Sequence, residues 1–481
     1  MTNKQLESNE EEISLASRFP TAYTILFLLI IILAGLTWII PAGKYDRVMN
    51  ESVGREIAVA GTYKSVEANP QNFVDIMLAP TAGFYNPDSY AANAIDVALF
   101  VLFLGGFLGV VNATGSIDVG IKSAMRRMKG REIWMIPILM SLFALGGTTY
   151  GMAEETLAFY ALLIPVMMVA GFDALTGVAI ILIGAGIGTL GSTINPFATV
   201  IASNAAGIAF TDGMYLRIFM LLGGLVICIA YVMRYALKVK ADPSKSLVAK
   251  LAVSNKKAFL SDDKGTQDDR LNNKQSIVLI LFAITFAIMI WGVSSQGWWM
   301  AQMGALFMGM AILIGLVGRM GEKRLTSTFV DGARDLLGVA LIIGLARGIV
   351  VIMEQGLIAD TILNAAAQTV GGLSKLAFIN LMYWIEIAMS FLVPSSSGLA
   401  VLSMPIMAPL ADFAGISRDL VVTAYQSASG IVNLITPTSA VVIGGLAIGR
   451  VPYDRWIVFI WPLLLILTIF ISALLSIAVI L

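Results

Sequence analysis

The chain contains no histidine and a single cysteine, Cys228. Without histidine there is no imidazole metal site and no histidine relay, so any coupled proton has to ride on carboxylates. The lone cysteine lies in an apolar run, cannot close an internal disulfide, and reads as a small buried apolar residue. Charge is also scarce. Only 13% of the residues are Asp, Glu, Lys or Arg, about half the share of a soluble domain. Basic and acidic residues balance to a net charge of zero, which leaves no nucleic-acid footprint. A G-x-x-x-x-G-K-[ST] phosphate loop is missing, which argues against an ATP-driven pump. The missing histidine also counts against an intramembrane enzyme, which needs a catalytic constellation.

What the chain has in abundance is apolar length. Its 481 residues are 58% hydrophobic, with a mean hydropathy of +0.85. Runs near the ~20 residues that cross a bilayer recur throughout, so the expected class is an all-α polytopic membrane protein. Spans are expected at 21–42, 91–113, 175–208, 215–237, 276–295, 301–319, 335–354, 419–449 and 455–480. Two of them, 175–208 and 419–449, are too long and too interrupted to be straight helices. Two further blocks, 133–171 and 374–412, could each be two full helices or a re-entrant hairpin, and their polar, glycine-containing middles favour the hairpin. Non-helical backbone at membrane depth is tolerated only when buried in protein or facing water.

Basic residues test that topology. Lys122, Arg126, Arg127, Lys129 and Arg131 share one loop, nine Lys/Arg fall between Lys238 and Lys274, and Lys323 and Arg324 share another. With both blocks counted as hairpins, all three loops fall on the cytoplasmic side, with the N-terminus inside and the C-terminus outside. The acidic stretch 1–20 then reads as a cytoplasmic tail rather than a signal peptide. Segment 43–90 becomes external, with an interfacial helix near Phe73 to Phe84. Trp298, Trp299, Trp456 and Trp461 read as interfacial anchors.

The two halves look like one device built twice. The first runs from Gly147-Thr148-Thr149-Tyr150-Gly151 to Gly191-Ser192-Thr193-Ile194-Asn195-Pro196. The second runs from Pro394-Ser395-Ser396-Ser397-Gly398 to Asn433-Leu434-Ile435-Thr436-Pro437-Thr438-Ser439. Pro165 precedes Gly171 by the same spacing as Pro409 precedes Gly415, and Asp173 and Asp419 follow as candidate helix caps. The expected organisation is a tail at 1–20, a first half at 21–237 with hairpin 133–171, a basic linker at 238–275, and a second half at 276–481 with hairpin 374–412. Entering the membrane from opposite sides, the halves form an inverted repeat, and paired interruptions in such halves point to a binding site.

Helix ends in mid-membrane expose N–H groups that favour anions and C=O groups that favour cations. Hydroxyls and amides at the breaks complete an oxygen-rich pocket. The candidate substrate residues are Thr148, Thr149, Glu154, Glu155, Asn195, Ser395, Ser396, Ser397, Asn433 and Thr436. A Na⁺ site is expected among Thr148, Ser192, Thr193, Asn195, Ser397 and Thr438. No organic cofactor is expected, only Na⁺ or H⁺ as coupling ion. Glu154 and Glu155 are the sharpest clue, because adjacent carboxylates in a membrane interior cost several kcal/mol unless paired, protonated or wet. They suit an ammonium or guanidinium group, or proton exchange. Asp96, Arg347, Glu354 and Glu386 also lie in apolar spans, with Arg347 read first as a structural partner for a carboxylate.

The stretches Gly151-Met152-Ala153-Glu154-Glu155-Thr156, Ser395 to Leu402 with Pro405 to Asp412, and Asn433 to Ser439 resemble the YfcC-like branch of the C4-dicarboxylate carrier C family. That branch includes carriers described as basic amino-acid (arginine/ornithine) antiporters. The resemblance implies an ion-transporter-superfamily fold: an inverted repeat with two re-entrant hairpins and two broken helices. It also implies a homodimer and an elevator movement in a bacterial inner membrane. The function expected is secondary transport of a small charged metabolite across the lipid bilayer, a basic amino acid first and a C4-dicarboxylate or other carboxylate second.

Overall fold

The computed structural model describes residues 22–50, 55–117, 119–120, 131–149, 151–260, 272–296, 298, 300–370 and 373–480. The tail at 1–20, Lys122 to Lys129 of the first basic loop, Tyr150, part of the central linker and Trp299 lie outside the described residues.

The chain is nearly all helical. The first half holds α1 (Ala22–Leu36), α2 (Phe73–Phe84), α3 (Ile95–Ala113), α4 (Met135–Thr149), α5 (Leu157–Val169), α6 (Ala174–Leu190), α7 (Ile201–Ala206) and α8 (Met214–Ala241). A short helix, α9 (Ala252–Phe259), lies in the basic linker. The rest holds α10 (Asn273–Gln296), α11 (Met300–Val317), α12 (Glu322–Asp335), α13 (Leu337–Gln355), α14 (Ala359–Val370), α15 (Lys375–Leu392), α16 (Ser396–Phe413), α17 (Arg418–Val432), α18 (Ala440–Ile448) and α19 (Tyr453–Ile480). Among the described residues, eight helical stretches are long and apolar enough to cross a membrane. Both 28-residue helices, α8 and α19, turn Phe219, Leu222, Val226, Ile469 and Ile477 outward, as a lipid-facing helix must.

Where the sequence suggested hairpins, α4 and α5 stop at Thr149 and restart at Leu157, and α15 and α16 stop at Leu392 and restart at Ser396. Where it suggested broken spans, α6 ends at Leu190 and α17 at Val432. Each break is built by local chemistry. Pro196 lacks an N–H, Asn195 caps the wide turn that follows, and Thr438 and Ser439 lead into α18.

Three features differ from the sequence reading. Segment 43–66 forms two small antiparallel sheets, β1 (Gly43–Lys44) with β4 (Lys64–Ser65) and β2 (Arg47–Asn50) with β3 (Arg55–Ala58). Alternation is too brief in such short strands to register as a periodic signal. Asp173 caps α6, accepting from the Thr176 N–H at 2.8 Å, but Asp419 lies inside the first turn of α17 and Ser417 takes the cap position. Trp456 is fully buried and donates Nε1–H to the Leu434 carbonyl at 2.9 Å, so it supports the second break instead of anchoring at an interface.

Two close crossings join the halves. α2 packs along α13, and α12 packs along α3. In the first, a Cβ at Gly83 would sit 1.9 Å from the Gly344 carbonyl oxygen; in the second, one at Gly332 would sit 2.3 Å from that of Gly105. Small residues bring backbones this near without side chains between them. Backbone turns recur at corresponding places too: left-handed φ occurs after α3 at Gly115 and after α13 at Leu357, after α5 at Gly171 and after α16 at Gly415.

Candidate functional site

The first tip is sewn into the first break. The Thr193 N–H donates to Thr148 Oγ1 at 3.0 Å, and that hydroxyl donates to the Gly191 carbonyl at 3.1 Å. The Ile194 N–H closes on the Thr148 carbonyl at 3.2 Å. Asn195 joins the two segments, with Nδ2 donating to the Gly147 carbonyl at 3.1 Å and Oδ1 accepting from Phe197 N–H at 2.8 Å and Ala198 N–H at 3.2 Å. Gly151 makes this approach possible: its φ is +76°, and a Cβ there would lie 2.7 Å from Asn195 Oδ1.

The second tip and break are built differently. Ser395 caps α16 by accepting from the Gly398 N–H at 3.2 Å. The Tyr425 hydroxyl donates to the Ser396 carbonyl. Thr436 and Thr438 share a hydroxyl hydrogen bond of 2.7 Å, and Thr438 donates onward to the Phe391 carbonyl at 3.4 Å. Carbonyls at this break are taken by the Tyr453 hydroxyl on Ile435 and by Trp456 on Leu434. No side chain caps the start of α18 at Ser439, so its first N–H groups remain available to an anionic group.

A cavity of about 1190 Å³ brings these parts together. Among the candidates it is lined by Glu154, Glu155, Asn195, Ser395, Ser396, Ser397, Asn433 and Thr438. Thr148, Thr149, Ser192, Thr193 and Thr436 do not line it. Their hydroxyls are occupied elsewhere: Thr149 on the Leu145 carbonyl at 2.6 Å, Ser192 on Thr199, and Thr148 on Thr193. The oxygens considered for Na⁺ therefore divide. Thr148, Ser192 and Thr193 knit the first break, whereas Asn195, Ser397 and Thr438 line the cavity.

Both carboxylates of the Glu154–Glu155 pair reach this cavity, in different settings. Glu155 is 3% exposed and accepts from the Ala153 N–H at 3.0 Å. Glu154 is only half-buried, which makes it the more accessible of the two. Glu154–Thr156 form a single 3₁₀ turn, whose adjacent positions diverge by about 120°, which accounts for the split. Arg347 also lines the cavity and lies 3.9 Å from Glu354, a loose ion pair along α13.

Sequence reasoning missed two groups. Gln426 of α17 is fully buried and ties the halves together, accepting from Thr199 Oγ1 at 2.8 Å and donating to the Ser192 carbonyl at 3.1 Å. A neutral amide in an apolar span was the available signal. The other group is a charged cluster on the cavity lining, formed by Tyr45, Asp46, Arg47, Lys64 and Asp360. Asp360 accepts from Arg47 Nη2 at 2.9 Å and from the Tyr45 N–H at 3.0 Å, which fastens the β segment to α14. Burial, reinforced by the charge of the nearby Asp360 and by Tyr63, pushes the Tyr45 hydroxyl up to about 12.

Broken helices and paired tips around one polar cavity, inside a shell of apolar helices, define a membrane transport protein. Comparison with known proteins gives the family. Residues 19–480 match the family model described as the C4-dicarboxylate anaerobic carrier, DcuC, and the chain belongs to that family. It is a secondary transporter, not an enzyme.

Two relatives match over most of their length. An uncharacterised protein of Haemophilus influenzae is 38% identical over 93% of this chain and 94% of its own. The "Putative basic amino acid antiporter YfcC" of Escherichia coli K12 is 31% identical over 91% and 92%. Among solved structures, MtrF of Neisseria gonorrhoeae aligns over 96% of this chain and 95% of its own, at 16% identity and a TM-score of 0.41.

Proposed function

We propose that this protein exchanges or ion-couples a small charged metabolite, a basic amino acid, across a bacterial cytoplasmic membrane. The observation that carries the reading is the cavity shared by Glu154 and Glu155 with the Ser395–Gly398 tip and the uncapped start of α18. One wall offers carboxylates to a cationic side chain, and the other offers N–H groups and hydroxyls to an α-carboxylate. The name carried by the Escherichia coli relative points the same way.

The halves 21–237 and 276–481, joined by the linker 238–275, act as an inverted repeat with hairpins 133–171 and 374–412. The crossed packing of α2 on α13 and α12 on α3 supports this, as do the matching left-handed turns at Gly171 and Gly415. Movement of the tip pairs against the remaining helices gives alternating access in an elevator manner. The working unit is a homodimer, with the N-terminus inside and the C-terminus outside.

A carboxylate substrate is the second reading, and it is favoured by Arg347 on the cavity wall. Purified protein in proteoliposomes, tested with radiolabelled arginine and succinate, separates the two. Arginine should enter saturably and show counterflow. Succinate uptake with arginine neither moving nor competing would remove the basic reading. Non-saturating flux without counterflow would remove the carrier reading.

A further inference from the structure

Glu386 lies outside the cavity and has no role in the site described above. It is fully buried in α15, and neither carboxyl oxygen has a hydrogen-bond partner. Its neighbours are also buried and unpaired. Tyr383 and Ser390 lie on the same face of α15, and Ser403 comes from α16. The Ser403 hydroxyl stands beside the carboxyl without closing a hydrogen bond in this conformation.

No charged group faces Glu386 among the described residues. From α17 the Tyr425 phenol comes within electrostatic reach, and from α19 Thr468 lies beside Tyr383. The acidic residue of α14, Asp360, is held by Arg47, and Asp412 at the far end of α16 is held by Arg418. Lys375 starts α15 about three turns away. An ionised carboxylate with no partner in such a place costs several kcal/mol, whereas the neutral acid needs one acceptor, which a neighbouring serine hydroxyl can supply.

One neighbour leads to the substrate cavity. Tyr425 lies on α17, which packs along α15, within electrostatic reach of Glu386, and its hydroxyl donates to the Ser396 carbonyl at the second tip. Ser396 lines the cavity.

We propose that Glu386 is a proton-binding site of the transport cycle, linked to the second tip through Tyr425. The carboxyl is neutral in the conformation seen here. It delivers its proton to water when the α15–α16 pair moves against α17 and opens the pocket, and it recovers one from the opposite compartment before the pair returns. In a chain without histidine, a buried, uncompensated carboxyl next to the tip can link a proton to tip movement. The inference rests on the transporter reading but not on the identity of the substrate.

Two measurements test it on the full-length protein in lipid. The first needs no substrate. Infrared difference spectra across a pH titration should show a protonated-carboxyl stretch that disappears in Glu386→Gln, and Glu386→Asp should restore a shifted band. A spectrum unchanged by Glu386→Gln, or a wild-type band absent at every pH and replaced by Na⁺-dependent changes, overturns the proposal. The second is transport in proteoliposomes with radiolabelled arginine. Glu386→Gln should keep arginine counterflow and lose its acceleration by an imposed pH gradient. Tyr425→Phe should keep the infrared band and also lose that acceleration. Full gradient response in Glu386→Gln overturns the proposal. Wild-type protein that moves no arginine refutes the basic-amino-acid reading instead, and the infrared result still decides the proton site.

Discussion

Asn195 joins the first tip to the first break through its two ends at once: its amide nitrogen donates to the Gly147 carbonyl at 3.1 Å while its oxygen accepts the N–H groups of Phe197 and Ala198. Asn195→Ala removes a buried cap and a cross-link together. The expected loss is about 2 kcal/mol, read as a lower melting temperature of the purified protein, with arginine uptake abolished. Unchanged melting would mean that the tip and break do not depend on this side chain.

Both carboxylates should be needed for uptake, although they sit in different settings. Glu154→Gln takes a charge from the accessible face of the cavity, and Glu155→Gln takes it from a buried group bound to the Ala153 N–H. Loss of a charged partner for a bound cation costs about 2 kcal/mol or more, a drop in affinity beyond tenfold. Both variants should express normally and fail to accumulate arginine. Asn433→Ala, on the opposite break, should do the same. Normal uptake by any one of them takes that residue out of the site.

The crossing of α12 on α3 should tolerate no side chain. A Cβ at Gly332 would meet the Gly105 carbonyl oxygen at 2.3 Å, while one at Gly309 has nothing within 4 Å. Gly332→Ala is expected to cost roughly 1–3 kcal/mol through overpacking and to lower the melting temperature, and Gly309→Ala should leave it unchanged. Equal melting of the two variants would refute this packing.

On the cavity lining, the raised Tyr45 hydroxyl gives a pH dependence with a definite sign. Its folded value, about 12, lies above the ordinary tyrosine value of 10.0. The protonated phenol therefore contributes stability below pH 10, and that contribution is lost as pH rises through about 12. Asp360→Asn removes one of the charges that raise it, so tyrosine difference absorbance should show this group titrating at lower pH. Tyr45→Phe identifies the signal by deleting it. An Asp360→Asn titration identical to wild type would rule out the electrostatic link.

Much of this molecule is legible in the amino-acid sequence itself. Gly, Ser, Pro and Asn mark helix ends through local rules, so residue type alone locates the interruptions at 147–156, 191–196, 394–398 and 433–439. The helix Phe73–Phe84 is readable for the same reason: Asn72 and Asp75 form a capping box within four residues of chain. Glu154 and Glu155 stand out because a carboxylate in an apolar run is costly wherever the chain places it.

Tertiary structure decided which of the marked residues face the cavity. Thr148 and Ser397 look alike in sequence, yet Thr148 donates its hydroxyl to Gly191, far along the chain, and Ser397 lines the cavity. The same holds for Trp456 on Leu434, Gln426 on the first break and Arg47 on Asp360. Where a helix ends depends on neighbours within a turn, and the sequence carries that information directly. A side chain's partner depends on how one helix is rotated and docked against another, and that is set by the packing of the whole bundle.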